Sequence, residues 1–273
     1  MNTEHEMQIT PDAIEVKTCC ATAYQSDAAR FLLGDSFHPG GIQLTEHLGA
    51  LLCLGPEQRV LDIASGQGRS AIALARRFGC QVRGIEYSAE AVKAATDAAG
   101  EAGVAHLVTF QQGDAECLPV SDGAFDALIC ECAFCTFPDK AMAASEFLRV
   151  LKPGGRIGLS DLTRMGDVPE ALQGLLAWIA CIADAQPVSV YTRYLTEAGL
   201  TIDLIEAHDE ALHEMVRQIR GKLLGAELLI RLKKLDLPEP FNLEQAKALA
   251  KAAAAAIQMR QFGYAVIVAS KMS

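Results

Sequence analysis

The sequence predicts an α/β fold built on an open parallel sheet, and three observations predict it. Short β-branched runs alternate with helical periodicity from about Arg59 to Ser160, which is how parallel strands joined by covering helices read. A Gly-containing turn, "SGQGRS", joins the first of those strands to its helix. Glu86 ends the next strand and "QGDAECLP" ends the third, so polar groups line up along one sheet edge, where open α/β sheets bind ligands. The pattern is Rossmann-like.

The elements follow in chain order. After the strand "RVLDIAS", the run "GRSAIALARRFG" places Ile72, Ala75 and Arg76 at helical spacing before Gly79 stops it. "CQVRGIEY" is the second strand, and Ser88 is positioned to cap the Ala-rich helix "AEAVKAATDAAGEAG". "LVTFQQGDA" and "AFDALICEC" are the third and fourth strands, "KAMAASEFLRVL" is a helix, and "PGGRIGLSD" turns into the fifth strand. In "PEALQGLLAWIACIADA" the residues Leu172, Leu175, Leu176, Ile179 and Ala183 share one helical face, with Cys181 opposite them beside Gly174, Ala177 and Ala185. "YTRYLTEAGL" reads as a helix with a Gly stop, "TIDLIEAH" as the sixth strand and "GYAVIVAS" as the seventh. Between these last two strands the chain is Ala-rich and helical, broken at "LDLPEPFN", and too long for a hairpin loop. The organisation expected is an N-terminal arm over residues 1–55 covering the site, and one α/β domain over 56–273 with a helical insertion at 208–260.

Composition narrows the function. The 273 residues are 51% hydrophobic and 21% charged, enough apolar material for a full core. Lys+Arg 24 against Asp+Glu 34 leaves a net charge of −10, which offers no basic face to a nucleic acid and favours small-molecule work. No apolar run approaches the ~20 residues that span a bilayer. A soluble, cytoplasmic monomer or homodimer with no membrane or nucleic-acid partner is expected. The nine cysteines are odd in number, so a complete disulfide framework is excluded and their spacing is read for ligands or nucleophiles.

"VLDIASGQGRSAIALA" places Asp62 at a strand end before the glycine turn, with Ala64 where a G-x-G-x-x-G fingerprint has its first glycine. Gly66 and Gly68 let the backbone bend and approach a ligand. Ser70 at the helix start, with no G-x-x-x-x-G-K-[ST] motif in the chain, argues against triphosphate binding. On these residues the chain resembles the class I S-adenosylmethionine-dependent methyltransferases, over roughly Gly55 to Asp161 plus the last strand. The resemblance implies a seven-stranded sheet with its last strand antiparallel, and S-adenosyl-L-methionine as cofactor. It implies that Asp62, Ala64, Gly66 and Gly68 frame the methionine moiety, Glu86 holds the ribose, and Asp114 with Ala115 faces adenine, with Tyr87 and Cys130 also in the cofactor site.

"CECAFCTFPDK" runs off the fourth strand, and period-two alternation would put Cys130 and Cys132 on one face. The thiol placement is similar to that of the arsenite methyltransferases, in which one cysteine follows the fourth strand and another precedes an "EAG" turn. Cys132 and Cys181 match these two, and Cys20 matches a third from the N-terminal region, with Cys19 and Cys135 as alternates. The resemblance implies trivalent arsenic as substrate, held by Cys20, Cys132 and Cys181, with its lone pair free to attack a sulfonium methyl. Phe134, Phe137 and Trp178 are available to exclude water, and Asp161 to orient the acceptor. The competing readings are a chalcogen acceptor (sulfide, a small thiol, or selenium or tellurium species) with His38 as base, a carbon or oxygen acceptor, and an NAD or nucleotide domain. A structural zinc at the Cys-x-x-Cys and a non-enzymatic metalloid sensor complete the set.

Overall fold

In a computed structural model, residues 17–18, 37–169, 172, 181–182, 184–232 and 242–273 are described. Seven strands, β1 (Arg59–Ile63), β2 (Gln81–Glu86), β3 (Val108–Gln112), β4 (Phe125–Glu131), β5 (Leu151–Arg164), β6 (Leu200–Ala207) and β7 (Phe262–Lys271), form one sheet in the order β3-β2-β1-β4-β5-β7-β6. The strands from β3 to β5 are parallel, and β7 runs antiparallel to both β5 and β6. The chain moves outward from β1 to β3 and then returns to lay β4 beside β1. That reversal opens a crevice at the carboxyl ends of these two strands.

Helices cover both faces, which is why β1 and β4 read as nearly continuous apolar runs. They are α1 (Gly41–Leu51), α2 (Arg69–Phe78), α3 (Ala89–Glu101), α4 (Lys140–Val150), α5 (Val188–Ala198), α6 (Asp209–Arg231) and α7 (Leu243–Gln258). Ser88 caps α3 by accepting from the Ala91 N–H, as its position predicts. Helices α6 and α7 pack on each other and on β7, and form the layer between the last two strands. Among the described residues no helix is long and apolar enough to cross a membrane.

Two expectations need correction. The arm does not end at residue 55, because α1 belongs to the main core: Leu44, Leu48 and Leu52 are all buried. Leu48 lies directly over Gly158 of β5, where an added Cβ would come within 2.6 Å of Leu48 Cδ1. The glycine lets the helix settle on the sheet. The other correction concerns "PEALQGLLAWIACIADA". Most of that stretch, with the proposed face of Leu175, Leu176, Ile179 and Ala183, lies outside the described residues. Within them, Cys181 adopts a left-handed turn (φ 62°) in place of a helical conformation, and Leu172, Cys181 and Ala185 are all buried.

Leu48→Ala is expected to lower the unfolding free energy by about 2–5 kcal/mol, the usual cost of a large-to-small core change. Leu228→Ala, at an exposed position of α6, should stay within about 0.5 kcal/mol of the parent. Paired denaturant titrations of the two variants check this.

Candidate active site

The β1–α2 turn is built from left-handed residues: Ala64 at φ 54°, Gly66 at 51° and Gly68 at 77°. For Ala64 this conformation costs about 1–2 kcal/mol, and the turn is held by Ser65 N–H on Ile85 O and Gly68 N–H on Ser65 O. The two glycines serve different ends. A Cβ on Gly66 would meet nothing within 4 Å and would project into an open cleft. A Cβ on Gly68 would fall 2.4 Å from the Phe110 ring, so Gly68 packs the turn onto β3, and it is not among the residues lining the cleft.

The cleft has a volume of about 180 Å3 and is lined by Asp62, Ala64, Gly66, Glu86, Tyr87, Asp114, Ala115, Glu131 and Cys132, among others. Glu86 ties strand to turn: one carboxylate oxygen accepts from Gly66 N–H at 2.9 Å and the other from Ser88 N–H at 3.0 Å. Asp114 is joined to the N-terminal segment by Lys17, whose ammonium sits 2.7 Å from Asp114 and 2.5 Å from Glu116. Three buried polar atoms lining the cleft have no protein partner: Asp62 Oδ2, Ser65 Oγ and Gln67 Nε2. Each such atom costs about 1–3 kcal/mol unless a ligand satisfies it. These groups, with the open cradle over Gly66, suit a ligand rich in hydroxyl and amino groups such as S-adenosylmethionine.

Cys130 does not take the cofactor-side position expected of it. It is fully buried and does not line the cleft, whereas its neighbour Glu131 does. Alternation places residues 130 and 131 on opposite faces, and Cys132 then leaves the strand at φ 52°, so the period of two does not carry through to the thiol. The Cys132 N–H still reaches Ser160 O at 2.7 Å.

Glu131 is the residue that sequence reasoning missed. Its carboxylate accepts from Thr45 Oγ1 at 3.0 and 3.2 Å and from Ser70 Oγ at 2.6 Å, and His38 Nε2 lies 3.7 Å away. Thr45 comes from α1, far from Glu131 in the chain, and no local pattern marks the pair. The strand-end position of Glu131 was its only available signal. Ser70, read as evidence against a triphosphate, is a ligand of this carboxylate.

Acidic groups therefore crowd one edge. Burial pushes the Asp62 carboxyl well above its ordinary range, and the charges of Glu131 and Glu86 add to the effect. Burial also raises Glu86, against the opposing N–H bonds from Ser88 and Gly66. Asp161, 1% exposed at the end region of β5, is pushed up to about 7 by burial and by charge on Cys181. Its carboxylate accepts from the backbone N–H groups of Cys135 and Leu162, both at 2.8 Å.

Against this acidic edge, Cys132 Sγ and Cys181 Sγ stand 3.8 Å apart, although 49 residues separate them. Cys181 also donates to Cys132 O at 3.4 Å. Both residues hold left-handed backbone, strain of the kind that concentrates at functional sites. Cys135 is fully buried and hydrogen-bonds Cys181. The Cys132 thiol is raised by its bond to Cys181 and then by burial, and Cys135 by burial and then Cys181, so both favour the protonated form. Cys19, Cys20 and Trp178 lie outside the described residues. Phe137 lines the cleft, but Phe134 is core, packed on Phe147, Tyr191 and Tyr194. Among the described residues the thiols do not supply three ligand atoms within 4.8 Å of one another, so the Cys-x-x-Cys forms no zinc cage there.

Cys132 and Phe37 form the wall shared with a second cavity, of about 100 Å3, lined also by Leu162, Cys181, Leu212, Met215, Ile219, Ile257 and Phe262. Cys132 thus sits between the cofactor cleft and an apolar chamber that holds Cys181 and is roofed by α6 and α7.

Residues 61–159 match the family of the methyltransferase domain. The chain is similar to the methyltransferase GfsG of Streptomyces halstedii, with 28% identity over 241 residues, 87% of this chain and 82% of that protein. It is similar to an arsenite methyltransferase of Halobacterium salinarum at 29% identity over 165 residues, 59% of this chain and 42% of that protein. Its fold resembles phosphoethanolamine N-methyltransferase 2 of Haemonchus contortus in complex with S-adenosyl-L-methionine, with a TM-score of 0.76, 18% identity, and coverage of 94% of this chain and 60% of that one. Residues 61–159 thus carry a methyltransferase domain, and the fold, the glycine-turn cleft and these likenesses converge on S-adenosylmethionine-dependent methyl transfer as the reaction class.

Proposed function

We propose that the methyl acceptor is a soft, thiophilic centre captured by Cys132 and Cys181, and that trivalent arsenic is the substrate. The observation that carries this reading is the 3.8 Å separation between Cys132, on the wall of the cofactor cleft, and Cys181, in the adjoining chamber. In this reading Asp62, Ala64 and Gly66 frame the methionine end of the cofactor, Glu86 and Tyr87 take the ribose, and Asp114 with Ala115 flanks adenine. The cofactor, when bound, supplies an electrophilic methyl group on a sulfonium. The acidic edge formed by Asp62, Glu86 and Glu131 favours a ligand carrying that positive charge.

Capture of arsenous acid fits protonated thiols. Each S–As bond forms as an As–O bond breaks, and the thiol proton leaves with the hydroxide as water. No free thiolate is required, which suits a site where the contact with Cys181 and burial hold the Cys132 and Cys135 thiols protonated. The bound arsenic keeps one hydroxide or takes a third thiol. Cys20 is the candidate from the N-terminal region and Cys135, beside Cys181, the alternate. The arsenic lone pair carries no proton, so no general base is needed, and catalysis rests on positioning. Asp161 acts as a positioning residue, since its carboxylate fixes the turn that carries Cys135.

The apolar chamber behind the thiols favours a second reading, methyl transfer to a small apolar thiol or sulfide. There the cysteines would shape the pocket, and His38, near Glu131 and Thr45, would act as base.

Cys132→Ser and Cys181→Ser should each lower arsenite methylation by more than about 100-fold, the scale of a misplaced reactant, while S-adenosylmethionine affinity stays nearly unchanged. Label transfer from methyl-labelled cofactor with arsenite and a thiol reductant measures the first, and calorimetry the second. Full activity in both variants, or label appearing only on an added alkyl thiol, would overturn the arsenic reading. A second expectation concerns pH. With Asp161 titrating near 7 against an ordinary value of 3.8, the folded protein retains a proton that the unfolded chain has lost, so this group's contribution to stability declines as pH rises through that window. Asp161→Asn should flatten the pH dependence of the unfolding free energy between about pH 4 and 7. Equal slopes for variant and parent would show that the carboxyl titrates normally.

A further inference from the structure

We infer that His47, Glu206 and His208 form a binding site for a first-row divalent cation on the edge strand β6, where the cation joins α1 to the start of α6. These are the three residues, among those described, whose ligand atoms all lie within 4.8 Å of one another. Both histidines direct Nε2 at the same carboxylate oxygen, His47 at 2.7 Å and His208 at 3.1 Å from Glu206 Oε2. Their ring centroids are 5.7 Å apart. Two imidazoles and one carboxylate are the ligand types that zinc and its neighbours take. In tetrahedral coordination at ~2.0–2.2 Å the ligand atoms stand about 3.3–3.6 Å apart, so a movement of several tenths of an ångström opens the trio around an ion. Water completes the shell, because the side chains are partly exposed.

The frame beneath the trio is rigid. His47 lies in α1 between the buried Leu44 and Leu48. Glu206 is registered against Val266 of β7, and the His208 N–H is bonded to Tyr264 O at 2.7 Å. None of the three residues lines the cofactor cleft or the apolar chamber. The elements that carry them do reach both: α1 supplies Thr45 to Glu131, and α6 supplies Leu212, Met215 and Ile219 to the roof. A cation here would therefore brace the two walls between which the acceptor sits. The site stands independently of which acceptor is methylated.

Cobalt(II) alone, titrated into the purified full-length protein, tests the assignment, with Zn2+ calorimetry in parallel. One equivalent should bind with a visible d–d spectrum and no thiolate-to-cobalt charge-transfer band in the near ultraviolet. The double variant His47→Ala/His208→Ala should lose more than about 100-fold in affinity, since even outer-shell changes at metal sites cost about 10–100-fold. Its affinity for S-adenosylmethionine serves as the control for folding, and the milder His47→Gln gives a second, single-ligand readout with the same direction. Unchanged cobalt affinity in the double variant, a thiolate band on the bound cobalt, or no binding by the parent protein would each overturn the proposal.

Discussion

The parallel register of β1, β2, β4 and β5 is the constraint on which the rest of the molecule depends, because it delivers four carboxylates to one edge of the sheet. Asp62, Glu86, Glu131 and Asp161 sit at or near the carboxyl ends of these strands, each largely buried. Such a row is unfavourable by itself, since desolvation and mutual repulsion both oppose ionisation. Its members are retained by donors, most of them from outside the strands: Gly66 and Ser88 for Glu86, Thr45 and Ser70 for Glu131, Cys135 together with Leu162 of β5 for Asp161. The loops and helices that make the cleft are thus organised around the acids. Asp62 accepts from the Ala71 backbone but leaves Oδ2 without a protein partner, and it lines the cleft that a cationic ligand would fill.

The thiols are arranged by the same edge. Cys132 follows Glu131 into a left-handed turn whose N–H remains on the ladder to β5, and that kink swings the sulfur off the strand toward Cys181. The contact between the thiols and their burial keep Cys132 and Cys135 protonated, with the carboxylates adding to the effect, and so poor as free nucleophiles. They leave the thiols competent for condensation with a hydroxide of a thiophilic element, in which the proton departs with the leaving group. Cys132, with Phe37, divides the cofactor cleft from the apolar chamber that holds Cys181, so an acceptor held there would meet the cofactor from a water-poor side.

Helix α1 links these features. It lies on Gly158 through Leu48, gives Thr45 to the acidic edge, and presents His47 to the far end of β6. One amphipathic helix therefore joins core, cleft and surface.

The strand and helix order, the antiparallel last strand implied by family likeness, the Ser88 cap and the glycine turn were all readable along the chain. They depend on local periodicity, on φ > 0 positions and on capping, which neighbours in sequence decide. Three things were decided only in space. Gly68 packs against Phe110 and does not line the cleft, because β3 passes beneath it. Glu131 lines the site and Cys130 does not, because strand alternation turns the two onto opposite faces and only the packing of the sheet decides which face meets the cleft. Cys132 meets Cys181 across 49 residues because sheet order, which no local pattern encodes, brings the end of β4 to the segment after β5. Residue chemistry was legible in the sequence. Its convergence came from long-range packing.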